Sequence, residues 1–572
     1  MDRTAWIVII LCVVGLVLWE WWLQKQNPAR LGLAPVTVSP AATPAIGDSP
    51  IPSPVSSPIS SPTPQPAASV PAFAEKTETL RNSDIELHLT NRGGGIRDAI
   101  LINHIAEDNK PVTLNSPDMA PIGAMVDQPA APDLPEFTIT REPDGGIRLE
   151  RAMPEGIAVR KKFFFLPSPD KQDNFLIELD LDVSNGGNQP YANSGYFLAL
   201  GSAVPIHSRD YPYYTRVVWC IDGKARDKNV SWFGGGGGFF GVAQRVPQSV
   251  YEEHTAPAEW AAVSDQFFAT LIAPLSVKAD GVWGRRIDLN PEQRTYGIEG
   301  AMHMPGFQLP PGQTYNARFQ IYAGPKIYHR LAQLEHNEAE IMNFGLFKLV
   351  SQFLLNFMNL LHRGLWNSYA AAILALTIII RSVLWPLQTK ANRSMRQTAL
   401  LGPKMQELRE KYKDDPTKMN QEVMKLYKEY GINPVGGCLP MAIQIPIFFG
   451  LYQMLAQAVE LRNAKFLWVH DLSQPDTVGH LPGLGWPINI IPLCMAATQL
   501  LLMQMTPKTG DATQRRVMMF TPLIFLFFCY NFAAALALYY TTQNVFSILQ
   551  FYLNKKQPMP KLEKVTPPGK RK

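Results

Sequence analysis

Ala370-Ala371-Ala372-Ile373-Leu374-Ala375-Leu376-Thr377-Ile378-Ile379-Ile380-Arg381-Ser382-Val383-Leu384-Trp385-Pro386 is apolar almost throughout and carries one cation, Arg381. A run of this length and composition predicts a helix that crosses a bilayer. A charge at the centre of such a helix costs about 2.5–3.5 kcal/mol by insertion scales, and less near an interface. Charged side chains in spans usually face a bundle interior or a water-filled cavity, which makes Arg381 a candidate functional residue. The bland alternative is a snorkelling arginine at the cytoplasmic boundary, since Gln388 follows within two turns.

Outward from this run the chain has two unlike parts. Of its 572 residues, 27–335 are polar and rich in Gly and Pro, whereas 341–553 are dominated by apolar runs. The net charge of +5 points to no specific DNA partner. Of the five cysteines, only Cys220 lies in the large polar region, so no disulfide framework is expected there. No CxxC or Cys/His ligand spacing occurs, so no structural zinc is expected.

Residues 1–26 contain the apolar run Ala5–Leu23 with Trp19, Trp21 and Trp22 at one end. It rises ~28 Å as a helix, enough to cross a bilayer core, and is too long for a signal-peptide apolar region. An uncleaved N-terminal anchor is expected. Residues 27–74 form a disordered, extended linker: Asn27–Phe73 holds 12 prolines and cannot bury enough apolar surface to offset its ordering entropy. Residues 75–335 alternate apolar and polar side chains in short runs, as in Ile85–Thr90, Phe175–Val183 and Arg318–Tyr322, separated by Gly-, Pro- and Asn-rich turns. This predicts a large extracytoplasmic all-β sandwich. Gly234–Gly238 lacks the Lys-Ser/Thr of a phosphate loop and reads as a flexible loop. His207, His254 and His303 show no spacing that suggests a catalytic pair.

Residues 336–363 are expected to form an interfacial amphipathic helix, with Lys348, Gln352, Asn356 and Asn359 on one stripe. A core over 364–553 follows, with spans near 366–387, 437–458, 488–505, 518–532 and 534–553. The last two come from an apolar stretch of ~57 Å if helical, twice what one crossing needs, broken near Asn531. Charge orients these spans. The segment 388–435 carries ten Lys/Arg, 506–516 carries three and the basic tail 554–572 carries seven, against only Arg462 and Lys465 in 459–486. Positive charge prefers the cytoplasm. Six spans result, with both termini cytoplasmic and the β domain periplasmic in a cell with two membranes.

Within 394–432, Met405, Leu408 and Tyr412, then Val423, Leu426, Tyr427 and Tyr430, recur at helical spacing on either side of Asp414-Asp415-Pro416-Thr417. A cytoplasmic helical hairpin is predicted, with Asp415 as cap and Pro416 in the first turn. It is either a solvated connector or a docking surface. Next comes Asn433-Pro434-Val435-Gly436-Gly437-Cys438-Leu439-Pro440, followed by Met441-Ala442-Ile443-Gln444-Ile445-Pro446-Ile447-Phe448-Phe449.

Here the sequence strongly resembles the YidC family of membrane protein insertases, of the Oxa/Alb class, whose signature is Asn-Pro-x-Gly-Gly-Cys-x-Pro followed by a Gln-x-Pro-Ile-Phe helix. The resemblance extends over 341–553, through Thr377–Arg381, Pro386, the charged hairpin and Leu538-Tyr539-Tyr540. It is thinner in the β domain, at Trp260, Asp265-Gln266-Phe267-Phe268-Ala269 and Gly324-Pro325. A β domain after the first span is similar to the large Gram-negative members. The chain departs from the family's frequent Pro-x-Gly turn at Asn531-Phe532-Ala533-Ala534.

The resemblance implies a five-helix core in the bacterial inner membrane, with a hydrophilic groove open to cytoplasm and lipid and closed to the outside. Arg381 would be the groove's cation, Thr377 its companion one turn earlier, and Tyr540 a contribution from the last helix. Nascent membrane proteins are the implied substrates, inserted alone or with the Sec translocon. The family is not an ATPase, needs no cofactor and implies no enzymatic activity. The ribosome is an expected partner of the hairpin and basic tail, which would also attract anionic lipid.

Polar residues on several spans can line such a groove: Thr377, Arg381, Gln444, Gln499, Gln504, Asn531, Thr541, Gln543 and Asn544. Singly, such residues often make interhelical hydrogen bonds, but their number across four spans favours a shared polar cavity. Two rival readings remain at this point. A transporter of lipid or small solute would also use intramembrane polar residues, though no internal repeat is found. In that reading the β domain is an accessory that binds sugars; the second rival is an extracytoplasmic carbohydrate enzyme, because sandwiches of this size bind sugars in other proteins.

Overall fold

Alternation of buried and exposed side chains shapes the strands. The computed structural model describes residues 73–554 and Lys564, apart from 132, 167–173, 236–245, 255–256, 291–294, 366, 433–438, 484 and 506–511. The expected N-terminal anchor, the linker as far as residue 72, the Asn433–Cys438 part of the signature, most of the Gly234–Gly238 run and the tail apart from Asn554 and Lys564 therefore lie outside the described residues. Cα positions divide the described chain into two units, 73–265 with 269–324, and 266–268 with 325–554.

The first unit is a large β sandwich. Its nine-stranded sheet runs in the order Lys224–Asn229, Arg216–Ile221, Trp260–Ser264, Phe268–Pro274, Thr314–Pro325, Leu176–Asn185, Ile157–Phe165, Ile147–Ala152, Thr138–Arg141. A five-stranded sheet is ordered Val250–Glu253, Gly281–Asn290, Thr295–Leu309, Tyr191–Ala203, Met125–Val126, and a four-stranded meander spans Thr77–Leu114. Leu176–Asn185 shows why: Ile177, Leu179, Leu181 and Val183 are buried, while Glu178, Asp180 and Asp182 between them are only half-buried. Within the sandwich Lys161 is fully buried, and its Nζ donates to the carbonyls of Gly93, Gly94 and Gly123 at 3.1, 2.7 and 3.0 Å. Gly94 adopts φ +60°, and a Cβ there would strike the Phe137 ring at 2.8 Å, so only glycine presents this carbonyl to the lysine. His254 and His303 meet edge to face with centroids 5.4 Å apart, and each has a carboxylate partner, Glu252 and Asp280.

The second unit is helical. Helix α1 is Lys348–Gly364, α2 Tyr369–Leu400, α3 Gly402–Lys411, α4 Pro416–Glu429, α5 Leu439–Gln457, α6 Ile490–Met505, α7 Ala512–Cys529 and α8 Ala534–Asn554. Ser368 caps α2, its hydroxyl accepting from Ala371 N at 3.3 Å. Among the described residues α2 alone is both long and apolar enough to cross a membrane by itself; Ile490–Met505 and Phe520–Cys529 are shorter apolar helices. At 32 residues α2 is ~48 Å long, so its basic last turns project beyond a hydrocarbon core. It runs on to Leu400 because no glycine or second proline interrupts the chain between Pro386 and Gly402-Pro403.

The α3–α4 hairpin encloses Leu401, Leu426, Tyr427 and Ile432, flanked by Met405, Leu408, Val423 and Tyr430. Asp415 accepts from Lys418 N at 3.0 Å and so caps α4. Tyr412 lies outside this core, with Lys411 and Lys418 5.6 and 5.5 Å from its ring centre. On α1, Ser351, Leu354, Leu355 and Met358 are buried, whereas Leu349, Phe353 and Leu360 are exposed. Ser351 donates its hydroxyl to Gly450 O at 2.8 Å, fastening α1 to α5. Gln266–Phe268 belong to this unit too: Gln266 Nε2 donates to Ala456 O at 2.8 Å, and the Arg462 guanidinium sits about 5 Å from the Phe267 and Phe268 ring centres.

Candidate functional site

Arg381 lies twelve residues into α2, ~18 Å from the helix's first residue at 1.5 Å per residue. Its Nη2 donates to Gln444 Oε1 on α5 at 3.2 Å, and Gln444 Nε2 donates onward to Gln543 Oε1 on α8 at 3.3 Å. Three helices thus meet through one guanidinium and two amides. Among the described residues no carboxylate lies within ion-pair distance of Arg381. The site therefore holds a positive charge stabilised by dipoles rather than by a counter-ion. A half-buried cation of this kind can attract an anionic or polar group that enters the space beside it.

The sequence of α8 explains how the amides are presented. Gln543, Ser547, Gln550 and Asn554 recur at i, i+4, i+7 and i+11 and form one polar stripe on an apolar helix. Gln550 Nε2 reaches the Trp385 carbonyl at 3.5 Å and Asn554 Nδ2 the Thr389 hydroxyl at 3.3 Å, so the stripe lies along α2. Asn544 faces α6 instead, donating to Met495 O and Thr498 Oγ1, both at 3.2 Å. Gln550 and Asn554 were not singled out from the sequence; their spacing from Gln543 is the signal that could have found them.

Tyr540 packs its ring against Phe448, Phe525 and Tyr539, at centroid distances of 5.6, 5.3 and 5.2 Å. Its hydroxyl is buried, with the Gln444 amide as its polar neighbour. Thr377 is fully buried, and its hydroxyl donates back to Ile373 O at 2.7 Å, within its own helix. The structure thus brings together Arg381, Gln444 and Gln543, with Tyr540 packed beside them. Gln499 on α6 is half-buried and outside the hydrogen-bonded chain. Asn531 lies in the turn between α7 and α8, and Thr541 donates to Ala537 O on its own helix. Among the described residues no cluster of three or more His, Cys, Asp or Glu side chains is placed to hold a metal ion.

The family model described as 60Kd inner membrane protein matches residues 361–561, and that described as YidC periplasmic domain matches 78–357. A membrane protein insertase YidC of Nitratidesulfovibrio vulgaris strain DP4 is 31% identical over 572 residues, covering 96% of this chain and 98% of the relative. One from strain Miyazaki F is 33% identical over 405 residues, covering 69% and 68%. Among solved structures, an active YidC insertase with its first transmembrane domain resolved superposes with a TM-score of 0.33 at 16% identity, covering 85% of this chain and 94% of that one. These relatives lend no support to the solute or lipid transporter.

Proposed function

The chain belongs to the YidC family of membrane protein insertases; it inserts membrane proteins, and we propose that it does so through a polar groove centred on Arg381. The carrying observation is the chain of hydrogen bonds from Arg381 through Gln444 to Gln543, which joins a cation to two amides with no carboxylate at ion-pair distance among the described residues. A nascent chain that enters lipid must strip water from its polar flank and keep its backbone paired. A hydrated recess that reaches partway across the bilayer shortens the unfavourable path. Arg381 draws the acidic or polar outer segment into the recess, while the apolar segment passes into lipid alongside the helices. Tyr540 and Gln543 serve as adjustable hydrogen-bonding groups, Gln499 lines the approach, and Thr377, buried one turn from Arg381, supports the helix from within.

In this reading both termini and the α3–α4 hairpin face the cytoplasm, and the β domain is periplasmic. Ten Lys/Arg in 388–435 support that orientation. The hairpin and tail form one basic surface for the ribosome, a view supported by the ion pair between Lys564 and Glu429 at 2.5 Å. The Sec translocon is an optional partner. The test is insertion of a single-span substrate with an acidic translocated segment by Arg381→Lys and Arg381→Ala proteins. Lysine is expected to retain most insertion and alanine to lose it by about tenfold, the equivalent of ~1.4 kcal/mol. Equal, full insertion by both variants removes the electrostatic role.

A further inference from the structure

The segment between α5 and α6 ends in a small hairpin, Thr477–His480 paired with Pro487–Asn489. Its base is polar and tightly fixed. Asp476 Oδ2 accepts from Ile491 N in the first turn of α6 at 2.7 Å and from Trp468 Nε1 at 3.2 Å, so one carboxylate caps the helix and holds an indole at its end. Asn489 Nδ2 donates to Tyr530 O at 2.7 Å, and Tyr530 Oη donates to Pro487 O at 2.7 Å, which ties the hairpin to the turn between α7 and α8. Thr477 donates its hydroxyl to Asn489 Oδ1 at 2.7 Å across the strands.

On this base the projecting side chains are apolar. Leu467 is 74% exposed and Trp486 64%, and Trp468, Val478 and Leu481 are exposed beside them. Large apolar groups gathered on a rigid support mark an interaction surface. The covalent tether limits what can cover them. Trp486 stands four residues before Ile490, so it lies no more than ~13 Å from the end of α6. If α5 and α6 cross the bilayer, that radius is the headgroup layer. Tryptophan favours this layer, where its ring is half apolar and its N–H stays wet. Lys465 and His480, both exposed, sit in the same segment and suit lipid phosphates.

We propose that this hairpin is a lipid wedge, inserting Leu467, Val478, Leu481 and Trp486 into the boundary between headgroups and acyl chains of the leaflet opposite the cytoplasm. It sets the depth of the outer ends of α6 and α8, and so of the amide stripe on α8. The inference rests on the reading of α5 and α6 as spans with 458–489 outside.

The test uses the full-length chain with its native cysteines replaced by alanine and insertion activity verified. Single cysteines replace Trp486, Val478 or, as a control on the exposed α3–α4 connection, Lys413. Each carries an environment-sensitive fluorophore in nanodiscs of phosphatidylethanolamine and phosphatidylglycerol. The wedge predicts blue-shifted emission at 486 and 478, and several-fold stronger quenching by lipids spin-labelled near the headgroup than by aqueous iodide, with the reverse at 413. Iodide quenching at 486 equal to that at 413 overturns it. Protection from both quenchers also overturns it, because protein then covers the tip. In intact spheroplasts, an impermeant maleimide should label from outside a single cysteine replacing His470, an exposed polar position in the same segment. Labelling only after permeabilisation overturns the orientation beneath the proposal, and is read independently of the quenching.

Discussion

Arg381 and Lys161 are both cations held away from bulk water, and their neighbours differ in kind. Lys161 Nζ is surrounded by three carbonyls in a closed site, whereas Arg381 has one amide partner and a half-buried position. The first arrangement is structural, and the second leaves donors for a substrate. Burial pushes the Lys161 ammonium down to about 7, from a value near 10.4 in an unfolded chain. Between those values the unfolded chain binds a proton that the folded one lacks, so stability rises with pH across that window and is lost as pH falls through the folded value. Lys161→Met lacks this slope and leaves carbonyls unpaired. At pH 9 it is expected to be less stable than the parent by about 1–3 kcal/mol, with the gap narrowing toward pH 7. Hydrogen exchange over 85–105 and 157–165 in the full chain checks this, and equal protection at every pH contradicts it.

At the scale of elements, the contact between α1 and α5 is set by a missing side chain. A Cβ on Gly450 would meet Val350 Cγ1 at 2.8 Å and Cβ at 3.1 Å. Gly450→Val should therefore force α1 away from α5 and cost about 1–3 kcal/mol by overpacking. A lower melting temperature in detergent, with Ser351 exchanging faster, is the expected outcome; an unchanged melting temperature contradicts the close packing. This glycine illustrates what the sequence conceals. The β strands were legible because their apolar side chains alternate, and the cap Asp415 sits where helix-start chemistry requires an oxygen. Gln444 and Gln543 were legible as polar residues in apolar spans. Their mutual hydrogen bond was not, because it depends on the rotation of two helices that no single-helix period fixes. The self-satisfied hydroxyl of Thr377 and the position of Asn531 in a turn were equally hidden, for composition records that a residue is polar and not whom it meets.

At the scale of the whole molecule, polarity is distributed so that one guanidinium and two amides, one group from each of three helices, join in a chain of hydrogen bonds among largely apolar helix faces. In the proposed reading, the exposed apolar faces of α1, with Leu349, Phe353 and Leu360, and of the hairpin near Trp486 extend a lipid-facing surface beyond the spans. An insertase needs this contrast, since its substrates have one segment bound for water and one for lipid. The direct measurement is photocrosslinking to ribosome-stalled chains of a single-span substrate, with a photoreactive residue placed at Gln444, Tyr540 or, on the buried face of α1, Leu354. Adducts from 444 and 540, absent from 354, are the predicted result. A substrate that inserts normally while 444 and 540 yield no adduct would contradict the groove.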